Sequence, residues 1–173
     1  EDPRRIATAE YLVDMADKIS TAIRKSQQNW QSVTHLGTGQ AKVERVASNR
    51  RLEQADGTIR GRSSSTKSAP ELRKLPEGLI DAWVRTVSFH EGDRAVAHLH
   101  YYASHPQSFY GDGRASYDVP GIIRQRLEKS TGAFQLYLTG CGGDVAFGKY
   151  NDGSRKARAE IVNRLHKGIE QSI

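Results

Sequence analysis

The stretch IDAWVRTVSFHEGDRAVAHLHYYASH, residues 80–105, carries the plainest structural signal in the chain. Two runs, about 82–89 and 94–103, flank the segment HEGDR. Ala82, Val84, Val87 and Phe89 supply the apolar positions of the first run. Ala95, Ala97, Leu99 and Tyr101 alternate through the second, which sets His98 and His100 on its opposite face. Glu91-Gly92-Asp93 is turn chemistry between two such runs, so the pattern predicts a β-hairpin.

Working outward, a polar loop, SHPQSFYGDGRASYD, follows the second strand. Then comes a helix over about 119–130 with Ile122, Ile123 and Leu127 facing inward, and a turn at Thr131-Gly132. A compact apolar strand, AFQLYLT at 133–139, ends the unit. The order strand, helix, strand predicts a right-handed crossover that makes strands 94–103 and 133–139 parallel neighbours. A glycine-rich stretch leads to a last helix over about 154–171, with Ser154 as its cap and Ile161, Leu165 and Ile169 inward.

Upstream, residues 2–28 read as a helix capped by Asp2, with Pro3 in its first turn. Ile6, Leu12, Val13, Ile19 and Ile23 fall on one face, which predicts packing against a sheet. Residues 30–48 read as extended and 49–78 as a long polar loop. The expected fold is α/β, within one domain over 1–173: a mixed sheet with a β-hairpin and a βαβ crossover, flanked by N- and C-terminal helices.

The 173 residues are 36% hydrophobic and 27% charged, enough for one domain with a real core. No apolar run reaches the roughly 18 residues of a membrane span. The net charge is +6, with basic residues scattered and locally dense in RGRSSSTK and SRKARAE. No aromatics interleave with them, so the composition predicts a basic solvated surface, not a nucleic-acid face. The loop from Arg60 to Lys67 would accept an anionic or carbohydrate ligand. A single cysteine, Cys141, excludes an internal disulfide framework and a cysteine-rich zinc site. The opening EDPRRIATAEYL has no apolar leader, and the compartment stays open.

In a parallel sheet, functional loops lie beyond the carboxyl ends of the strands. Two loops qualify, one starting at Ser104-His105-Pro106 and one at Gly140-Cys141. They would gather His105, Asp112, Ser116, Asp118, Cys141 and Asp144 around one concavity. Within LTGCGGDVAFGKYNDGS, residues 138–154, Gly143, Gly148 and Lys149 spell G-x-x-x-x-G-K. A phosphate loop needs Ser or Thr after the lysine and a helix starting there. Here Tyr150 follows, and the turn residues NDGS delay the helix, so a nucleotide loop is rejected. An amide nest for another anion remains in keeping with the pattern. His105 admits two readings, a hydrogen-bonded structural histidine, or a metal ligand or general base. His98 and His100 could bind a metal from one strand face, or be buried histidines satisfied by neighbours. Cys141 is either a small cysteine in a tight turn or a nucleophile with His105 as its base.

Three stretches together resemble the neutral/alkaline non-lysosomal ceramidase family. HYYASHPQSFYGDGRASYDVPG resembles its strand ending in His-Pro, with a polar loop and a Ser-x-Asp-x-x-Gly helix start. YLTGCGGDVAFG resembles its later strand and Asn-Ala-Gly-Asn-type loop, and VASNRRL its Asn-Arg-Ser motif. The resemblance implies part of a larger zinc-dependent amide hydrolase, secreted or periplasmic, acting on a small-molecule or lipid amide. By this likeness His105 matches a zinc ligand, and Arg50 the arginine that holds a substrate carboxylate or amide oxygen. The segment from Gly142 to Ala146 matches the loop beside the scissile amide, where the amides of Gly142, Gly143 and Asp144 would steady an oxyanion and Cys141 would lie against the substrate, and Asp118 matches an aspartate at the helix start. The chain departs where Ala146 stands at the family's serine and Arg51 ends the Asn-Arg-Ser motif. The other zinc ligands of the family would lie in flanking segments. Two alternatives stay open: a ligand-binding domain that kept the fold, and a metal-free hydrolase using Cys141 and His105.

Overall fold

The computed structural model describes residues 8–65, 67, 69–109 and 115–173. The proposed Asp2 cap, Pro3 and Asp112 lie outside them. The chain divides into two compact units, 1–32 and 33–173. In the first, helix α1 spans Ala9–Ser26, and Thr8 caps it by accepting from the Tyr11 amide at 3.2 Å. Its apolar side chains form the expected stripe, but none is buried: Leu12, Val13, Ile19 and Ile23 are all exposed.

In the second unit, a four-stranded mixed sheet has the order β1 (His35–Lys42), β5 (Trp83–Glu91), β6 (Arg94–Tyr102), β7 (Phe134–Thr139). β5 and β6 are the predicted hairpin, antiparallel from Arg85↔Tyr101 to Glu91↔Arg94. Its two-residue turn starts at Gly92, whose φ of 55° a side chain would resist. Helix α2 (Asp118–Thr131) then carries the chain to β7, which pairs parallel with β6 as expected. Gly132 ends α2 in the left-handed conformation, at φ 70°. Helix α3 (Arg155–Ser172) begins on the predicted Ser154 cap.

α3 packs on β1 and β5, α2 packs on β7, and the two helices touch each other. The core between them holds Val84, Tyr102, Ile123, Leu127, Ile161, Leu165 and Ile169. α3 lies so close to β1 that a Cβ on Gly168 would stand 2.5 Å from Val43. The helix-facing side of the sheet is polar, with His98 and His100 buried as one of the two sequence readings has them. Thr86, Ser88, His98, His100 and Gln135 are all buried there. His98 Nδ1 meets Ser88 Oγ at 2.8 Å, while His100 lies between Thr86 Oγ1 and Gln135 Oε1, each at 2.8 Å. The other side carries Leu36, Trp83, Tyr101 and Phe134, all exposed.

Residues 49–78, expected as one long polar loop, lie in a segment between β1 and β5 that has its own structure. The segment contains β2 (Ser48–Asn49), a small antiparallel pair of β3 (Arg51–Glu53) with β4 (Ile59–Gly61), and a 3-10 turn at Pro70–Arg73. β2 pairs antiparallel with β8 (Val145–Ala146), which ties this region to the glycine-rich stretch.

Candidate functional site

Because β6 and β7 are parallel, the loops that follow them leave the same edge of the sheet. They are joined by main-chain bonds. The Gly140 amide donates to Tyr102 O at 3.1 Å, and the His105 amide to Val145 O at 2.8 Å. Gly142 packs on Ser104, whose backbone a Cβ would approach to 3.0 Å, so a side chain here would push that backbone back by a few tenths of an ångström. The Gly142 amide is spent on Gly140 O at 2.7 Å, and the Val145 amide returns to Gly142 O at 2.8 Å. The turn thus closed holds Gly143 and Asp144 outward.

Asp144 then organises the segment that enters β3. Its carbonyl accepts from the Arg50 amide at 2.7 Å. Its Oδ1 accepts from the Arg51 amide at 3.2 Å and Arg51 Nε at 2.7 Å, and its Oδ2 accepts from Asn49 Nδ2 at 2.9 Å. Burial pushes this carboxyl's pKa up, but the bonds from Arg51 and Asn49 outweigh it and hold the pKa below the ordinary value. The result is a cavity of about 390 Å3 lined by Arg50, Arg51, Gly61, Ser63, Gly143 and Asp144. Arg50 is half-buried there. Among the described residues, no hydrogen bond or ion pair engages its guanidinium. The Gly143 and Asp144 amides likewise have no main-chain partner among the described residues. A guanidinium and main-chain amides are groups whose chemistry can hold an anionic oxygen.

Three of the expected site residues, Arg50, Gly143 and Asp144, therefore meet. Cys141 is exposed and lies outside the cavity lining, and no hydrogen bond joins it to His105. His105 is half-buried and outside the lining too. Asp118 serves the fold. Its carboxylate accepts from the Ser108 amide at 2.8 Å, from Ser108 Oγ and from the Phe109 amide at 3.2 Å, which staples the loop after β6 to the start of α2. Ser116 Oγ accepts from the Asp118 amide at 2.9 Å. Ala146 is fully buried in β8, opposite Ser48.

In the basic loop from Arg60 to Lys67, Arg60 is exposed and pairs with Glu71 at 2.6 Å, Gly61 and Ser63 line the cavity, and Arg62 is fully buried among backbone carbonyls. Lys149 donates its Nζ to Arg73 O at 2.8 Å and to Leu75 O. Arg51, read from the sequence only as a departure from a motif, and Gly61 and Ser63 of the basic loop join the cavity lining because β3 and β4 pair. Only the Asp56-Gly57 turn signal hinted at that pairing.

A catalytic zinc draws on about three protein ligands. Among the described residues, no group of three or more His, Cys, Asp or Glu side chains is placed to hold a metal. His105 alone does not make a site, so the described residues supply at most one ligand of the implied zinc site. No helix among them is long and apolar enough to cross a membrane.

No family model matches the chain, and no curated protein matches it. Among solved structures, it is similar to neutral ceramidase from Pseudomonas aeruginosa, with 15% identity and a TM-score of 0.59 over 90% of this chain. It is also similar to a ceramidase complexed with C2, at 15% identity and a TM-score of 0.57 over 90% of this chain. The chain spans 25% of the length of each of these proteins. At that identity the likeness shows the fold, a distant ceramidase-like α/β arrangement.

Proposed function

We propose that this chain forms the substrate-anchoring side of a ceramidase-like hydrolase that acts on an amide or related linkage. The observation that carries the reading is the unpaired Arg50 guanidinium in the cavity between β3 and the glycine-rich turn. Arg50 would grip a carboxylate or carbonyl oxygen of the substrate by charge-assisted hydrogen bonds. The free Gly143 and Asp144 amides would steady an oxygen that gains negative charge. Arg51, already committed to Asp144, would hold the turn in place rather than touch the substrate. A zinc ion bound by the full-length protein would take one ligand from His105 and the others from outside the described residues.

The test is amine release by the full-length protein from a panel of N-acyl amides, ceramide and N-acyl amino acids included. Arg50→Gln is expected to lower kcat/KM by about 10- to 100-fold, the equivalent of one charge-assisted bond of roughly 1.5–3 kcal/mol. Arg50→Lys should recover only part, since a point charge cannot replace the guanidinium fork. Undiminished turnover in Arg50→Gln would overturn the anchoring role. A full-length protein without zinc, or with zinc unchanged by His105→Ala, would remove the metal from the reading.

A second reading, a binding domain without hydrolysis, is favoured by Ala146, which brings no hydroxyl to the position the resembled enzymes give to serine. Binding of the same panel without turnover would select it.

A further inference from the structure

The three arginines Arg126, Arg155 and Arg158 stand out by what they lack. Elsewhere in the second unit arginines mostly meet carboxylates: Arg51 with Asp144, Arg60 with Glu71, Arg73 with Asp152, Arg85 with Asp81, Arg124 with Glu128 and Arg164 with Glu160. None of these three has a carboxylate partner among the described residues. Arg126 Nη1 donates to Asn163 Oδ1 at 2.8 Å. Arg158 Nε donates to Ser108 O at 2.9 Å, and its guanidinium lies over the Phe109 ring at 4.2 Å. Arg155 is exposed with no partner among the described residues.

All three rim one groove of about 260 Å3 between α2, α3 and the loop after β6. Its floor is apolar, built from Phe109, Ile122 and Val162. Arg155 is the first residue of α3, whose first turn contains no acidic residue to offset the positive end of its dipole. A floor without polar groups and a rim of uncompensated positive charge specify both halves of a ligand. One half is hydrocarbon, held by removal from water. The other is an anion with two oxygens, matched to the guanidinium fork. The volume lies just under the roughly 300–1,000 Å3 usual for drug-sized ligands, so the hydrocarbon is short. The groove shares no lining residue with the Arg50 cavity.

We propose that this groove binds a free short- or medium-chain alkyl carboxylate, its chain on the Phe109–Ile122–Val162 floor and its carboxylate among Arg126, Arg155 and Arg158. The proposal is independent of the hydrolytic reading.

The experiment is calorimetry of the full-length protein with octanoate below its micelle concentration. Octanol and octyltrimethylammonium serve as neutral and cationic controls, and phosphatidylglycerol vesicles as a membrane control. Octanoate should bind saturably, octanol at least tenfold more weakly, and the cation not at all. Arg126→Gln with Arg155→Gln should weaken octanoate at least tenfold and leave Tm and circular dichroism unchanged, because neither arginine is buried. Arg50→Gln should bind octanoate as the wild type does. Absence of octanoate binding, equal binding of the cation, full affinity in the double variant or binding to vesicles alone would each overturn the proposal. So would loss of binding in Arg50→Gln, which would assign the ligand to the other cavity.

Discussion

Replacing Arg62 by methionine should be among the costliest single changes in the second unit, though Arg62 touches no ligand. Arg62 is the largest fully buried side chain, at 0% exposure. Its Nε donates to Asn49 O at 3.1 Å, and its Nη1 to Leu72 O and Leu75 O, each at 3.1 Å. Its Nη2 donates to Pro76 O at 2.9 Å and to Glu77 O at 3.2 Å. Burial lowers its pKa, Tyr150 and Glu77 oppose the fall, and a guanidinium stays charged throughout the working range. The Arg62 amide also donates to Arg50 O at 2.6 Å, so the same residue ties the 72–77 segment to the cavity strand.

Methionine keeps most of the apolar stem and deletes every donor. Five bonds to a charged donor, at about 1.5–3 kcal/mol each, set a gross loss near 7–15 kcal/mol. Two terms offset it. The buried cation no longer bears a desolvation cost of several kcal/mol. Most of the freed carbonyls are only partly buried and can recover water. The net loss should resemble that of breaking a buried ion pair, about 3–5 kcal/mol. Urea unfolding of the full-length protein, followed by circular dichroism and tryptophan fluorescence, measures it as a fall in midpoint at constant m. Arg62→Lys, with three donors against five, should restore less than half. A loss under about 1 kcal/mol in Arg62→Met would refute the argument that these bonds organise the segment.

Two further changes test the frame of the site and the buried histidines. In Gly148→Ala the new Cβ would stand 1.9 Å from Ser63 O, a backbone atom that cannot swing aside. Gly143 has nothing within 4 Å. Thermal melts should therefore show a loss of about 1–3 kcal/mol for Gly148→Ala and a far smaller one for Gly143→Ala; equal melts would contradict the packing. Burial, with His100 and His90 adding to it, lowers the pKa of His98, and burial lowers that of His100 against the opposing Gln135 bond. The unfolded chain thus binds protons that the folded chain refuses. Stability is complete above the unfolded value of about 6.5 and falls as pH drops below it toward the folded values, by up to about 1.4 kcal/mol per pH unit for each group. His98→Gln and His100→Gln should flatten urea midpoints across that window; an unchanged slope would count against these groups.

The elements that the sequence made legible are those with periodicity. The hairpin, α2, β7 and α3 each combine a repeat of apolar positions with a turn or cap, and all lie within two residues of their expected places. On the buried face of the sheet the sequence left two readings for His98 and His100, and the structure shows the buried one. Ala97, Leu99 and Tyr101 form the more apolar row of β6, yet His98 and His100 are the buried ones. The reason lies across the strands: Ser88, Thr86 and Gln135 supply partners that no single-strand pattern reveals. The polar region 49–78 was opaque for the same reason. Its order comes from one side chain binding five carbonyls, and carbonyls leave no trace in composition. Arg50, Gly143 and Asp144, singled out through their motifs, line one cavity. Arg51 looked like a departure from one, and the structure shows it as the partner of Asp144.

The G-x-x-x-x-G-K spacing illustrates why a motif needs its context. Each of its marked residues has a physical duty here, but none concerns phosphate. Gly143 stands at the cavity with its amide unengaged among the described residues. Gly148 is glycine because Ser63 O occupies the place of a side chain. Lys149 directs its ammonium to carbonyls of Arg73 and Leu75, and Arg73 Nε answers by donating to Lys149 O at 3.3 Å. A phosphate loop aims its lysine at the anion and follows it at once with a helix. Here the lysine is turned into the protein and α3 waits until Arg155. The positive charge left for a ligand at this site is that of Arg50, in the bend between β2 and β3, so the proposed anion recognition would depend on the pairing of β2 with β8. Any change that separates those two short strands should abolish the site while leaving the four-stranded sheet intact.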